Sequence, residues 1–559
     1  MNRRADAATT LAARDFPHRG DAMPTLDWIG KQAVVNHHRE VPYRLIHCDA
    51  DLSAGNPEAG NLLVQGDNLQ ALRALLPYYA GKVKCIYIDP PYNTGNEGWI
   101  YNDAVNSPEM RAWLGQVVGK EAEDLSRHDK WLCMMYPRLR LLREFLREDG
   151  AIFISIGDDE FHHLTILMNE IFGTNSFQAN IVWQSRYSVS NDATFSVSHN
   201  FLSVFSRNPS IWKLTRNRLQ RTKKQDKQYS NPDNDPRGLW RAIPWDAPNI
   251  RENLSYPITT PKGTIRFPPK GRHWSRTESQ WREIVASGMA YFGKNNDGAP
   301  AFKRYLSEAE GVVPSTWWSH EDAGHTDEAS KELTAIGLDL PFDTPKPIRL
   351  ISRLLQIATA PNDIVLDSFA GSGTTGHAVL DLNKQDGGAR RFILVEMDDT
   401  IAQTVTAERL RRVITGYDKG GDPAKPVAGL GGGFRFCRLG APLFDEYGDI
   451  AEAVTFPDLA AHIFFSETGA PIPQRAQSEL LGVHQGRAVY LLFDAAHAGA
   501  AREAAGNVLT PDRLAGLPSP PEGFEGLRVI YAEGCTVSPD RLRAAGATFK
   551  QIPYQVEGV

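Results

Sequence analysis

Four consecutive residues, Asp89, Pro90, Pro91 and Tyr92, close an apolar run that reads VKCIYI from Val83 to Ile88. Their types and order suit one kind of chemistry. Proline at 90 drives Asp89 out of the helical region, and Pro91 does the same to Pro90, so a carboxylate and a backbone carbonyl are fixed in an extended turn. Two clamped acceptors are what an aromatic exocyclic amine needs in order to react. Its lone pair is delocalised into the ring. If Asp89 and the Pro90 carbonyl each accept one N–H, the nitrogen is drawn toward tetrahedral geometry and the pair is aimed at an electrophile. The Tyr92 ring offers a face on which such a base can stack, worth about 1–3 kcal/mol against the cost of extruding it from a duplex. The displacement is mainly positioning, which can remove about 7–11 kcal/mol of barrier, and it needs no covalent intermediate. Attack through C5 of cytosine would instead require a cysteine nucleophile beside proline. None of the five cysteines has a proline neighbour.

A second motif lies far along the chain. Asp367 to Gly376 reads DSFAGSGTTG, between the apolar run IVL and the helical pattern HAVLDL, with G-x-G-x-x-G at Gly371, Gly373 and Gly376. Glu396, twenty residues beyond Gly376, ends a second apolar run, FILVE. Glycines that let backbone approach a ligand, followed by an acid for ribose hydroxyls, indicate a nucleoside cofactor without saying which. A nicotinamide dinucleotide satisfies the spacing alone. Asp367, with Phe369 and Ala370 following it, tilts the choice toward S-adenosylmethionine, whose methionine ammonium an acid at a strand tip can receive.

These two motifs need a scaffold that brings strand ends together. From Leu26 to Gly173 short apolar runs (NLLVQ at Asn61–Gln65, VKCIYI, AIFISI at Ala151–Ile156) alternate with helical patterns, one built on Leu69, Leu72, Leu75 and Leu76 and one on Leu132, Met135, Leu139, Leu142, Phe145 and Leu146. The same alternation returns between Thr344 and Tyr417. It predicts an α/β fold with a parallel, doubly wound, Rossmann-like sheet. The domain reading is a frayed segment 1–25, a catalytic half 26–174, and a Trp-, Pro-, Asn- and Arg-rich block 175–343 taken as an inserted recognition domain. A cofactor-binding half 344–417, a Gly/Pro linker 418–434 and a C-terminal α/β domain 435–559 complete it.

Composition narrows the class further. With 559 residues, 42% hydrophobic, and a formal net charge of −6, the chain can bury several cores but is not uniformly basic. Nucleic-acid contact must then come from local basic surface. The segment Arg207–Lys227, RNPSIWKLTRNRLQRTKKQDK, supplies it around Trp212, through Arg207, Lys213, Arg216, Arg218, Arg221, Lys223 and Lys224. A solvated basic loop would read the same way. The cysteines form no C-x-x-C pair, and no histidine cluster has zinc spacing, so no metal is expected. The N-terminal residues lack a signal-peptide core and no run approaches membrane-spanning length, so a cytoplasmic protein without membrane contact is expected.

Taken together, IYIDPPYNTG and VLDSFAGSGTT resemble the amino-group DNA methyltransferases, and their order is similar to that of the permuted β class. LLVQGDNLQAL, REDGAIFISIGDDE, WQSRYSVSNDATFSVSHNFLSVFSRN and TPKPIRLISRLL extend the likeness to modification subunits of type III restriction systems. The resemblance covers Leu26 to about Arg412, and FKQIPYQV near the end is also similar to some members. It implies adenine N6 methylation of double-stranded DNA, DPPY rather than SPPY favouring adenine over cytosine N4. A homodimer and a helicase-nuclease restriction partner are implied as well. By position it implies that Asp367, Phe369, Gly371 and Gly373 line the cofactor, with Glu396 on its ribose, Asp67 near its adenine and Lys346 near its carboxylate. Asp67 is equally placed to cap the helix that follows it, and Lys346 to be a solvated first-turn lysine. The chain is shorter than many such subunits, and the stretch holding Trp99, Tyr101 and Asn102 has no residue-by-residue match. A recognition module that has lost turnover remains an alternative, which intact Asp89 and FAGSG oppose.

Overall fold

The computed structural model describes residues 25–95, 108–118, 125–189, 193–338, 344–445, 447–497 and 507–552. The N-terminal segment 1–25, all but its last residue, and the stretch with Trp99, Tyr101 and Asn102 lie outside them. Two compact units are present: Met1–Asn217 with Ser315–Val559, and Arg218–Pro314.

The larger unit is built on a ten-stranded sheet. Its strands are β1 (Arg44–Gly55), β2 (Leu62–Gln65), β3 (Val83–Ile88), β4 (Leu146–Ile156), β5 (Phe177–Trp183), β6 (Asn200–Ser206), β7 (Trp317–Trp318), β8 (Ile364–Asp367), β9 (Arg391–Glu396) and β10 (Gly433–Pro442). They run in the order β1-β10-β2-β9-β8-β3-β4-β6-β5-β7. The six from β10 to β4 are parallel, while β1 pairs antiparallel with β10, and β6 with both β4 and β5. Strands covered on both faces are nearly apolar throughout, and every residue of β3 and of β8 is buried, Lys84 there pairing with Asp149. From β3 the chain continues to one side of the sheet, into β4; from β8 it continues to the other, into β9. The β3–β8 border is therefore where the strand order reverses, the place in an open α/β sheet where a crevice forms at the carboxyl ends. Asp89 and Asp367 stand at that border, because the register pairs Ile86 with Leu366.

The covering helices begin where local chemistry caps them. Helix α1 (Asn68–Tyr79) starts at Asp67, whose carboxylate accepts from Gln70 N at 3.0 Å. Helix α2 (Arg127–Phe145) opens with a reciprocal Ser126–Asp129 capping box. Further on come α3 (Asp158–Phe172), α4 (Thr326–Ile336), α5 (Ile348–Ala358), α6 (Thr374–Asp386), α7 (Ala407–Thr415) and α8 (Phe456–Thr468).

The inserted unit is narrower than the 175–343 block read from composition. Two strands of that block, FQANIVW and NFLSVFS, pair in the main sheet as β5 and β6, and Trp317–Trp318 adds to its edge. Arg218–Pro314 has its own core of Trp245, Tyr256, Ile258, Trp274, Trp281, Ile284 and Phe292. Trp240 and Trp245 are buried. The C-terminal block is likewise divided. Its first residues belong to β10, inside the main sheet, and Ile472 N donates to Pro77 O at the end of α1 at 3.0 Å. Only beyond them does a separate four-stranded sheet form from Leu480–His484, Arg487–Leu491, Leu527–Ala532 and Ala547–Gln551. Within 418–434, Pro426–Ala428 pairs back on Gly416–Asp418. Among the described residues no helix is long and apolar enough to cross a membrane.

Candidate active site

Asp89 leaves the tip of β3 with its two carboxylate oxygens in different situations. Oδ2 accepts from the Lys346 ammonium, while Oδ1 is buried with no donor in hydrogen-bond geometry among the described residues; the buried Tyr92 hydroxyl, likewise without a partner in such geometry, interacts with the same carboxylate. A buried acceptor without a donor is costly in a folded protein, so such an atom marks a place for a ligand's N–H. The Lys346 ammonium also lies 5.2 Å from the centroid of the Tyr92 ring. Burial pushes the Tyr92 phenol well above its ordinary pKa, and the Asp89 carboxylate adds to that shift, so Tyr92 stays neutral.

Residues that sequence spacing did not single out hold this turn. Trp131 Nε1 donates to Pro91 O at 2.7 Å. Asn93 has φ +58°, a left-handed conformation that asparagine tolerates, and its side-chain amide donates to Glu160 and to Arg127 O. Arg127 in turn donates to Asn93 O at 2.9 Å. Glu160 is fully buried, and the Nδ1 atoms of His128 and His163 face its two oxygens at 2.6 and 2.7 Å. Glu160 and His163 are an i, i+3 pair on α3, and His128 joins them only through the packing of α2 on α3, which its position in the sequence does not signal. Two ligands of one tetrahedral zinc, each about 2.0–2.1 Å from the ion, would stand roughly 3.3 Å apart. The observed contacts are hydrogen-bond distances. Gly157, at the end of β4, makes room for Tyr92: a Cβ there would lie 3.1 Å from Tyr92 Cδ2.

The second half of the site is the turn after β8. Asp367 is buried, and its oxygens accept from Phe369 N at 3.0 Å and Thr375 Oγ1 at 2.6 Å. Burial pushes its carboxyl up to about 7, with Asp89 and Glu396 adding to the rise. A buried acid with acids for neighbours favours a cationic ligand. Glu396 accepts from Gly371 N at 2.8 Å and Asp398 N at 3.0 Å, so it braces the turn. Two further amides of the turn are occupied: Ala370 N donates to Val395 O and Gly373 N to Ala370 O. Gly371 and Gly373 have φ +50° and +77°, which explains glycine at both. A pyrophosphate needs free N–H groups and no adjacent carboxylate. The Asp89 and Asp367 carboxylates that line this cradle oppose a pyrophosphate and suit the ammonium of S-adenosylmethionine. Asp67, besides capping α1, pairs with the buried Arg138 at 2.8 Å.

Two cavities meet here. One is lined by Tyr87, Asp89, Lys346, Asp367, Phe369 and Gly371 among others. The second, of about 510 Å³, is lined by Tyr92, Gly157, Asp159, Arg186, Asn200 and Lys346 among others. The basic segment is less coherent. Arg207, Lys213 and Arg216 lie in the larger unit, and Arg218, Arg221, Lys223 and Lys224 in the smaller. Arg207 bonds Arg143 O, Arg218 pairs with Glu310, and Arg221 pairs with Asp226. Lys213 and Lys223 are exposed. Trp212, which the segment surrounds, is buried against Phe153 and offers no face for stacking.

An unpartnered carboxylate oxygen and a cation-seeking cradle thus stand side by side at the switch point of a doubly wound sheet. Residues 83–408 match the family model N6_N4_Mtase, described as DNA methylase, and the chain belongs to that family. It is 36% identical over 409 residues to the StyLTI Mod subunit, a type III restriction-modification enzyme of Salmonella typhimurium, covering 69% of this chain and 60% of that one. The EcoPI Mod subunit of Escherichia phage P1 is 31% identical, over 69% of this chain and 65% of its own length. The type II methyltransferase M.KpnI of Klebsiella pneumoniae is 31% identical, over 61% of this chain and 81% of its own. The chain thus spans under two thirds of the two Mod subunits.

Proposed function

We propose that this chain transfers a methyl group from S-adenosylmethionine to N6 of an adenine turned out of double-stranded DNA, as the modification subunit of a type III-like restriction system. The observation that carries the reading is Asp89 Oδ1, a buried acceptor without a donor on a carboxylate that lines the first cavity, its partner Lys346 lining both. Asp367 and the turn Phe369, Ala370, Gly371 and Gly373 would hold the cofactor, Asp367 taking its ammonium. Glu396 on the ribose, Asp67 near the adenine and Lys346 near the carboxylate complete the proposed set. When bound, the cofactor supplies an electrophilic methyl on a sulfonium sulfur. Asp89 and the Pro90 carbonyl accept the two N6 hydrogens and turn the nitrogen lone pair out of conjugation, and the carboxylate can take the proton released on methylation. Tyr92 stacks on the base, and Pro91, held by Trp131, keeps the acceptors from drifting.

The unit Arg218–Pro314 and the basic residues Arg207, Lys213, Arg216, Arg218, Arg221, Lys223 and Lys224 are proposed to contact DNA, with sequence choice residing in that insertion. Relatives named as Mod subunits favour a restriction subunit as partner; a homodimer and a cytoplasmic location complete the proposal. Asp89→Ala tests it: methylation of DNA falls at least about 100-fold while folding and DNA binding persist. Nucleoside mass analysis must find N6-methyladenine; N4-methylcytosine alone would refute the adenine assignment.

A further inference from the structure

We propose that Lys346 is a gate between the two cavities, releasing Asp89 to the incoming base only when an anion in the cofactor cradle draws its ammonium away. This rests on the reading above that the cradle holds S-adenosylmethionine. Lys346 lines both cavities. Its ammonium sits on Asp89 Oδ2 and above the Tyr92 ring, the two features an entering amine and its ring would use. The free space in the cradle is about 20 Å³, room for roughly one water molecule, and Lys346 is among the side chains that line it, so a ligand entering there meets its ammonium.

The backbone of Lys346 cannot be the moving part. Pro345 and Pro347 flank it, and its carbonyl accepts from Thr374 Oγ1 at 3.1 Å. Rotation of the four-carbon stem is what remains. Thr375, next to Thr374, bonds Asp367, so Lys346 and Asp367 face the same end of the cradle. An amino-acid group whose ammonium pairs with Asp367 brings its carboxylate within reach of Lys346. The ammonium then exchanges one carboxylate for another, at little cost in charge pairing, and Asp89 is left with both oxygens able to accept N–H. Binding is thereby ordered, cofactor before base, and Lys346 acts as a positioning residue through Asp89.

The test uses the full-length protein and a duplex carrying 2-aminopurine at the methylated adenine, with emission reporting extrusion of the base. In the wild type, S-adenosylhomocysteine raises emission several-fold, and the same compound lacking its carboxylate does not. Lys346→Met extrudes the base without any cofactor and binds S-adenosylhomocysteine at least tenfold more weakly, whereas Lys346→Arg keeps the dependence; thermal melting verifies that each is folded. Equal emission from the wild type with and without S-adenosylhomocysteine, equal emission with the decarboxylated compound, or an unaltered dependence in Lys346→Met overturns the gate. If the wild type makes no N6-methyladenine, the functional reading itself has failed; if it methylates but shows no coupling, only the gate has.

Discussion

If Asp367 takes the cofactor ammonium, as proposed, binding releases a proton. Its carboxyl is raised from 3.8 to about 7, chiefly because it is removed from water. The unfolded chain has no such burden, so between about pH 4 and 7 the cofactor-free protein binds the extra proton and the unfolded chain does not. Stability therefore declines as pH rises through that window, by about 1.4 kcal/mol per unit and about 4 kcal/mol across it. A ligand ammonium favours the carboxylate and must expel the proton first. Below pH 7 the affinity for S-adenosylmethionine falls by about tenfold per unit, and at pH 6 about nine-tenths of a proton is released per molecule bound. Calorimetry at pH 6 in two buffers of different ionisation enthalpy reads that proton directly, and titrations from pH 5.5 to 7.5 give the slope. Asp367→Asn should abolish both effects, weaken binding at pH 7.5, and raise the melting temperature of the cofactor-free protein at pH 8. Identical heats in the two buffers with a flat affinity profile would refute the argument that burial of Asp367 governs binding.

Asp67→Ala removes a helix cap worth about 1 kcal/mol and strands the buried Arg138, a further loss of up to about 3–5 kcal/mol. Its melting temperature should drop by more than any change in cofactor affinity accounts for. Glu160→Ala deprives the Asn93 amide and two imidazoles of their acceptor, at about 1–3 kcal/mol for each donor left buried. Turnover should fall with it, while EDTA leaves the wild type unchanged; loss of activity on chelation would instead make the cluster a metal site. Gly157 has φ −88°, open to any residue, so Gly157→Val adds no backbone strain and acts by displacing Tyr92. The rate of methyl transfer should drop roughly 10- to 100-fold with little change in melting temperature.

The parts of the site legible in sequence are those whose chemistry is local. Asp89-Pro90-Pro91-Tyr92 and the turn from Asp367 each carry their geometry in adjacent residues, and the alternating apolar runs around them state a parallel sheet. What stayed hidden depends on residues far apart in sequence. Glu160, His128 and Asn93 converge only because α2 and α3 pack together, and nothing in their spacing says so. Lys346 looked like a solvated lysine or a cofactor contact, but it pairs with a carboxylate 257 positions away. Asp67 satisfied one of its two sequence readings visibly, as a helix cap. The limits of the insertion were misplaced because polar, proline-rich composition between β5 and β6 and around β7 concealed short strands whose partners are in the main sheet.

The strand that carries Asp89 borders one that is synthesised much later: Cys85 of β3 faces Val365 of β8, 280 positions on, and β2 waits for β9 and β10. At ordinary elongation rates that gap is on the order of tens of seconds. A ribosome-bound chain therefore holds a finished acceptor turn with no neighbour to complete it, its apolar strands exposed and open to wrong pairing. Chaperone demand should be high during this interval, and a nascent chain cannot methylate anything before its last sheet partners emerge.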